Sequence, residues 1–180
     1  MKGIVFTEFM EMVEEQYGLE IADAIIEKAQ LPSQGVYTAV GTYDFNEMLA
    51  LLQGLEEEVD VPMNDLVYTF GHYLFNGLAS AHPEIIQNYR TPIGLLHAIE
   101  DHIHVHVQKL YPDAQLPTFK MLERTENSLS MVYSSSRGLY RLAHGLIEKT
   151  FERFGQRAKV SFSLLKADGT EVKFDIVDHG

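Results

Sequence analysis

The sequence predicts an α+β protein in which a helical N-terminal lobe packs on a C-terminal lobe carrying an antiparallel β-sheet. Apolar residues recur at helical spacing over most of the first two thirds of the chain. In the last third they alternate with polar ones, and Asp168-Gly169 sets turn chemistry between two alternating runs. With 180 residues, 46% of them apolar, the chain holds enough material for one good core. It reads as a single domain over residues 1–180, with approximate lobes at 1–62 and 63–180.

The elements follow in order. Phe6, Phe9, Met10 and Val13 share one face of a first helix, and Ile21, Ala24, Ile25 and Ala29 do the same after Gly18, until Pro32 and Gly35 stop the second. Asp44 with Glu47 three residues on has the form of a capping box, opening a helix through Met48, Leu51, Leu52 and Leu55. A long apolar helix follows Pro62 and carries Leu66, Phe70, Tyr73, Leu74 and Leu78. Pro83 and Pro92 punctuate the next stretch, and a helix is expected from about Ile93 to Leu110, stopped by Pro112. Leu129, Met131 and Tyr133 alternate as in a strand with one buried face, and Leu139 to Phe154 returns to helix. Val160, Phe162 and Leu164, the Asp168-Gly169 turn, and Val172, Phe174 and Ile176 form a β-hairpin.

Composition removes several function classes. A formal charge of −12, with 14 basic against 26 acidic residues, argues against a nucleic-acid surface and against anionic lipid. No apolar run approaches the roughly 20 residues that span a bilayer. Glu8, Glu11, Glu14 and Glu15 interrupt the apolar start too soon for a signal peptide, so the chain is expected in the cytoplasm. The absence of cysteine excludes disulfides, thiolate-ligated haem, and cysteine-held zinc or iron–sulfur centres within it.

Two segments carry chemistry. In Tyr133-Ser134-Ser135-Ser136-Arg137, an extended backbone points Tyr133, Ser135 and Arg137 to one side, so a phenol, a hydroxyl and a guanidinium face the same carboxylates. Upstream, His102, His104 and His106 place three imidazoles within five positions. A clamp for carboxylates beside an imidazole that can hold iron describes a haem pocket. The remaining five histidines, His72, His82, His97, His144 and His179, are scattered and read as ordinary polar residues.

Helical phase does not select the ligand. Leu96, Ile99, Ile103, Val107 and Leu110 form the expected buried stripe; His106 borders one edge, His104 lies further off the other, and burial alone favours His106. His102 and His106, four apart, could instead share a divalent metal, and the segment also alternates as a short strand does.

The Tyr133-x-Ser135-x-Arg137 run, the opening Met1-Lys2-Gly3-Ile4-Val5-Phe6, the Asp101-His102-Ile103-His104 segment leading into Leu110-Tyr111-Pro112, and Leu116-Pro117-Thr118-Phe119 together resemble the haem-nitric oxide/oxygen-binding family, H-NOX. That family includes the haem domain of soluble guanylate cyclase and stand-alone bacterial gas sensors. The resemblance spans essentially the whole chain and implies a haem b held between the two lobes. It assigns the iron ligand to His104, seven residues before the Tyr111-Pro112 pair, and leaves His102 and His106 as neighbours. It gives the propionate clamp to Tyr133, Ser135 and Arg137, and gives Pro117 the role of pressing on the porphyrin. The positions matching the distal lining are Val5, Phe9, Leu74, Leu78, Leu142 and Leu146.

Oxygen-binding members resemble one another in a distal tyrosine at the position matching Leu142, and Tyr140 is out of register with it. An apolar pocket without a donor implies binding of nitric oxide and carbon monoxide to ferrous haem, with little stable oxygen binding. No catalytic apparatus is evident. Stand-alone members typically work with a histidine kinase or a cyclic-di-GMP enzyme, and a partner of that kind is implied here. Some bacterial members carry a cysteine-based zinc site near the C-terminus, which a chain without cysteine lacks. Two readings of other classes stand beside this one: a non-haem metalloenzyme using His102 and His106 with Glu100 or Asp101, and an interaction module that keeps the fold without haem.

Overall fold

The computed structural model describes all residues from 1 to 180. In the helical half the apolar spacing becomes α1 (Gly3–Tyr17), α2 (Leu19–Ala29), α3 (Phe45–Val59) and α4 (Met63–Ala81). Their inward faces meet in one core built on Phe6, Phe9, Ile25, Leu51, Leu55 and Phe70. This core does not end at residue 62, because Leu66, Val67, Phe70 and Leu74 of α4 belong to it. Asp44 caps α3 by accepting the Asn46 N–H at 2.8 Å. The reciprocal half of the expected capping box is not made. Glu47 is instead buried and accepts hydrogen bonds from Ser33 Oγ and from Tyr37 Oη at 3.0 Å, tying α3 to the loop after α2.

The expected single helix from Ile93 to Leu110 is broken into pieces. After α5 (Pro83–Gln87), each of α6 (Pro92–His97) and α7 (Val105–Leu110) is a short α-helix, and Ile99–His104 between them is π-helical. The Ile103 N–H bonds back to the Ala98 carbonyl at 3.1 Å, five residues behind it, which is the widened spacing that defines such a turn. Pro83 and Pro92 each occupy a first helical position, where a missing N–H costs nothing.

The second core belongs to the sheet. Strands β1 (Thr118–Arg124), β2 (Ser128–Ser134), β3 (Ala158–Leu164) and β4 (Glu171–Asp178) pair antiparallel in the order β1-β2-β4-β3. Leu129, Met131 and Tyr133 of β2, with Val172, Phe174 and Ile176 of β4, present the alternate apolar face read from the sequence. That face packs on Ala143, Ile147 and Phe151 of α8 (Tyr140–Arg153). Strand β1 was not anticipated, because TFKMLER carries only one buried residue, Phe119.

The two lobes meet where α4 crosses α8. A Cβ added to Gly71 would stand 2.4 Å from the Leu142 carbonyl oxygen, and one added to Gly145 would stand 2.2 Å from that of Tyr68. Neither can be accommodated, so the crossing depends on two glycines that bring backbone against backbone. That closeness sets Leu74 and Leu78 of α4 and Leu142 and Leu146 of α8 along one wall of a shared cavity.

Candidate functional site

A cavity of about 340 Å³ lies between α4 and α8 on one side and the π-helical segment with the loop before β1 on the other. Its lining is mostly apolar. Val5, Leu74, Leu78, Leu142 and Leu146 form part of it, and so does Pro117. Phe9 does not. It is fully buried in the helical core, edge-on to Phe70 with ring centroids 5.2 Å apart, because α1 turns that face to its neighbouring helices and Val5 to the cavity.

Among the three clustered histidines, only His104 lines the cavity. Its side chain is 16% exposed, whereas His106 is 42% exposed, the reverse of what a regular helical phase implies. The π turn is the reason, since it inserts a wide turn just before His104 and rotates it away from its α-helical bearing. Leu110, also assigned to the buried stripe, is 47% exposed. His102 points elsewhere, with Nδ1 3.3 Å from Tyr89 Oη. The alternative pairing of His102 and His106 with Glu100 or Asp101 is not formed; His106 gathers instead with His82 and Glu84.

The His104 imidazole is oriented. Its Nδ1 lies 2.9 Å from Glu100 Oε1, one helical turn back, and the same oxygen accepts the backbone N–H of Phe119 at 2.8 Å. A carboxylate at Nδ1 places the ring proton there and leaves Nε2 as the free nitrogen with its lone pair. Burial holds the His104 pKa below the ordinary imidazole value, opposed by the attraction of Glu100. A neutral imidazole with one free nitrogen at a cavity wall is what a metal ion accepts.

At the rim, Tyr133, Ser135 and Arg137 all border the cavity, although not through strand alternation alone. Strand β2 ends at Ser134. The Ser135 N–H bonds to the Thr170 carbonyl at 2.9 Å, and a turn closed by the Gly138 N–H on the Ser135 carbonyl at 3.2 Å brings Arg137 round. Burial pushes the Tyr133 phenol above its usual value and so keeps it a proton donor. The Arg137 guanidinium donates to the Gln115 carbonyl at 2.7 Å and to Gln115 Oε1 at 3.0 Å, and its charge lies 5.6 Å from the centroid of Phe45. Phenol, hydroxyl and guanidinium thus stand together at one end of an apolar slot. The slot has the His104 imidazole, with Nε2 free, in its wall, and His82 also borders it; this donor set suits a flat apolar group with a central metal and an acidic edge.

The sequence reading did not name Ile99, Ile103 or Leu95 as cavity residues, although they stand beside His104 on the same wall. The apolar spacing of Ile99 and Ile103 marks them as buried without distinguishing a core from a cavity, and Leu95 lies outside that stripe. No helix is long and apolar enough to cross a membrane.

A family model described as haem-NO-binding matches residues 2–162. Several solved structures have the same fold. The unliganded Fe(II) H-NOX protein of K. algicida is 48% identical, with a TM-score of 0.97 over 100% of this chain and 97% of that one. The H-NOX protein of S. oneidensis in its Fe(II)NO state is 30% identical, with a TM-score of 0.92 and complete coverage of both chains. The H-NOX of Shewanella woodyi, bound to IWP-051 in the Fe(II)CO state, is 38% identical, with a TM-score of 0.84 over 98% of this chain and 94% of that one. Among curated proteins, none matched. The matched segment takes in the cavity wall, the His104 turn and the clamp, and the chain belongs to the H-NOX family of haem-binding gas-sensor domains.

Proposed function

We propose that this chain is a nitric oxide sensor of the cytoplasm that holds haem b in the inter-lobe cavity and reports occupancy to a separate signalling protein. The observation that carries this reading is the placement of His104 and the clamp on one cavity. The imidazole stands in a wall, with Nδ1 held by Glu100, and Tyr133, Ser135 and Arg137 stand at its rim. When bound, haem would supply a ferrous iron able to bind a diatomic gas.

The chain's own residues account for the rest. His104 offers Nε2 to the iron, and Glu100 fixes the ring plane and its tautomer. Tyr133, Ser135 and Arg137 donate to the two propionates, with Arg137 supplying the charge. Pro117 and the apolar residues around it press on the porphyrin faces and exclude water. On the distal wall Leu142 offers no hydrogen-bond donor, and Leu74, Leu78, Leu146 and Val5 add none. Oxygen binding, which relies on a nearby hydrogen-bond donor, would find none among these side chains, whereas nitric oxide and carbon monoxide would depend less on one.

His104 ends the π-helical segment and the clamp ends a strand of the sheet lobe, so strain between them acts on the setting of one lobe against the other. A group held by His104 and by the clamp together would couple its occupancy to a two-state equilibrium of lobe arrangement, which a partner could read. A histidine kinase or a cyclic-di-GMP enzyme is the partner class we assign. The strongly acidic surface, at −12 overall, favours a partner with a basic docking face.

An optical spectrum of protein produced with ample haem tests the reading. A Soret band that shifts with nitric oxide and carbon monoxide, and stays unshifted in air, is expected. His104→Gly is expected to lose the histidine-ligated ferrous spectrum, and His102→Gly and His106→Gly are expected to keep it. A colourless protein, or loss of the spectrum in His106→Gly alone, overturns the assignment.

A further inference from the structure

At the edge of the cavity, one cluster of side chains has the composition and spacing of a metal site. His82 closes the C-terminus of α4, Glu84 lies in the first turn of α5, and His106 lies near the start of α7. Each offers one ligand atom, and these atoms lie within 4.8 Å of one another. We propose that His82, Glu84 and His106 bind one divalent transition cation of the zinc class, clamping the end of α4 to α7, the helix that follows His104.

The distances support coordination. Glu84 Oε1 lies 3.4 Å from His82 Nδ1 and 3.5 Å from His106 Nε2. Both separations exceed the roughly 2.7–2.9 Å of a charge-assisted hydrogen bond. They match the edge of a tetrahedron with metal bonds of about 2.0–2.1 Å, which is about 3.3–3.4 Å. The third edge, between the imidazoles, is no longer than 4.8 Å. The ring planes meet at 81° with centroids 6.2 Å apart, so the two imidazoles are neither stacked nor parallel and can aim at a common point.

The ligand types select the ion. Two imidazoles and one carboxylate suit zinc and its neighbours, whereas magnesium and calcium take oxygen ligands. Glu84 is 54% exposed, which gives a cation an entry path and leaves room for water at the remaining position. The consequence is mechanical. His82 also borders the haem cavity, and His106 lies two residues beyond His104, so a cation held here ties the cavity wall to the segment bearing His104.

This proposal stands apart from the haem reading, and the haem spectrum reports on that reading separately. Haem-loaded protein is dialysed against zinc chloride and then against metal-free buffer, and its bound zinc is measured by elemental analysis beside its melting temperature. Wild type and His102→Ala are expected to retain one equivalent of zinc and to melt at a higher temperature with it. Glu84→Gln and His106→Ala are expected to lose both effects, and magnesium is expected to produce neither. Glu84 is exposed and outside the core, so Glu84→Gln keeps the fold and the Soret band. Absence of zinc from the wild type, or equal retention by Glu84→Gln and His106→Ala, overturns the proposal.

Discussion

Glu100 Oε1 lies 2.9 Å from His104 Nδ1 and also accepts the Phe119 N–H at 2.8 Å, so a single carboxylate oxygen connects the π-helical turn to the first strand of the sheet. A carboxylate on the far nitrogen of a ligating imidazole makes the near nitrogen more basic. Glu100→Ala is therefore expected to lower the iron–histidine stretching frequency in the ferrous protein, and Glu100→Gln to lower it less. Metal affinity through His104 should weaken by about 10–100-fold in the alanine variant. Resonance Raman spectra of the unliganded ferrous forms check this; a stretch unchanged in both variants removes Glu100 from the account.

Leu142 lines the cavity, and its side chain offers no hydrogen-bond donor. Leu142→Tyr introduces a phenol where bound oxygen would accept its proton. The expected outcome is a measurable oxygenated ferrous spectrum in air, absent in wild type, with affinity for carbon monoxide little altered. Oxygen titration under anaerobic control measures it.

Arg137 supplies the charged member of the clamp. A hydrogen bond to a charged group contributes about 1.5–3 kcal/mol, so Arg137→Ala is expected to speed haem loss by about 10–100-fold. Transfer of haem to an apoprotein acceptor gives the rate. Ser135→Ala, which removes a neutral donor, should have a smaller effect.

Glu148 of α8 offers a test away from the cavity. It accepts from His144 Nε2 at 3.1 Å and from the Tyr68 hydroxyl, and with His72 Nε2 at 3.6 Å these hold its pKa down to about 2 from an ordinary 4.5, His144 contributing most. A carboxyl depressed on folding stabilises the native state fully above its unfolded value and loses that contribution as pH falls through the folded one. Taken at face value the shift corresponds to about 3 kcal/mol, and screening at a partly open position reduces it to about 1–2 kcal/mol. Glu148→Gln should thus be less stable than wild type by about that amount near neutrality. The gap should close as pH falls from 4.5 towards 2. Denaturant melts across that range decide it, and a gap independent of pH contradicts the linkage.

What could be read in advance and what could not follow from locality. The three strands of the hairpin and of β2 are marked by alternation, and β1 is not, because Phe119 alone is buried there and the pattern is lost. Tyr133, Ser135 and Arg137 lie close enough in sequence for their grouping to show, although a turn rather than a strand completes it. The choice of His104 over His106 was beyond any 100° rule, because the deciding wide turn sits in the backbone itself. That Phe9 lies off the cavity lining is not legible for a related reason: an apolar helical stripe carries no mark separating residues that meet other helices from those that meet a cavity. His82 and His106 are separated by 24 positions and were dismissed singly, since only the tertiary fold brings them to Glu84.

The π-helical turn at Ile99–His104 also bears on how this segment tolerates insertions and deletions. A wide turn holds a surplus residue that an ordinary helix has no place for, so removal of a single residue there can be absorbed by tightening the turn while α6 and α7 keep their seats. The flanking helices would survive such a deletion, but the imidazole would swing off its bearing. A chain shortened by one residue between Ala98 and Ile103 should therefore remain folded and yet fail to ligate iron.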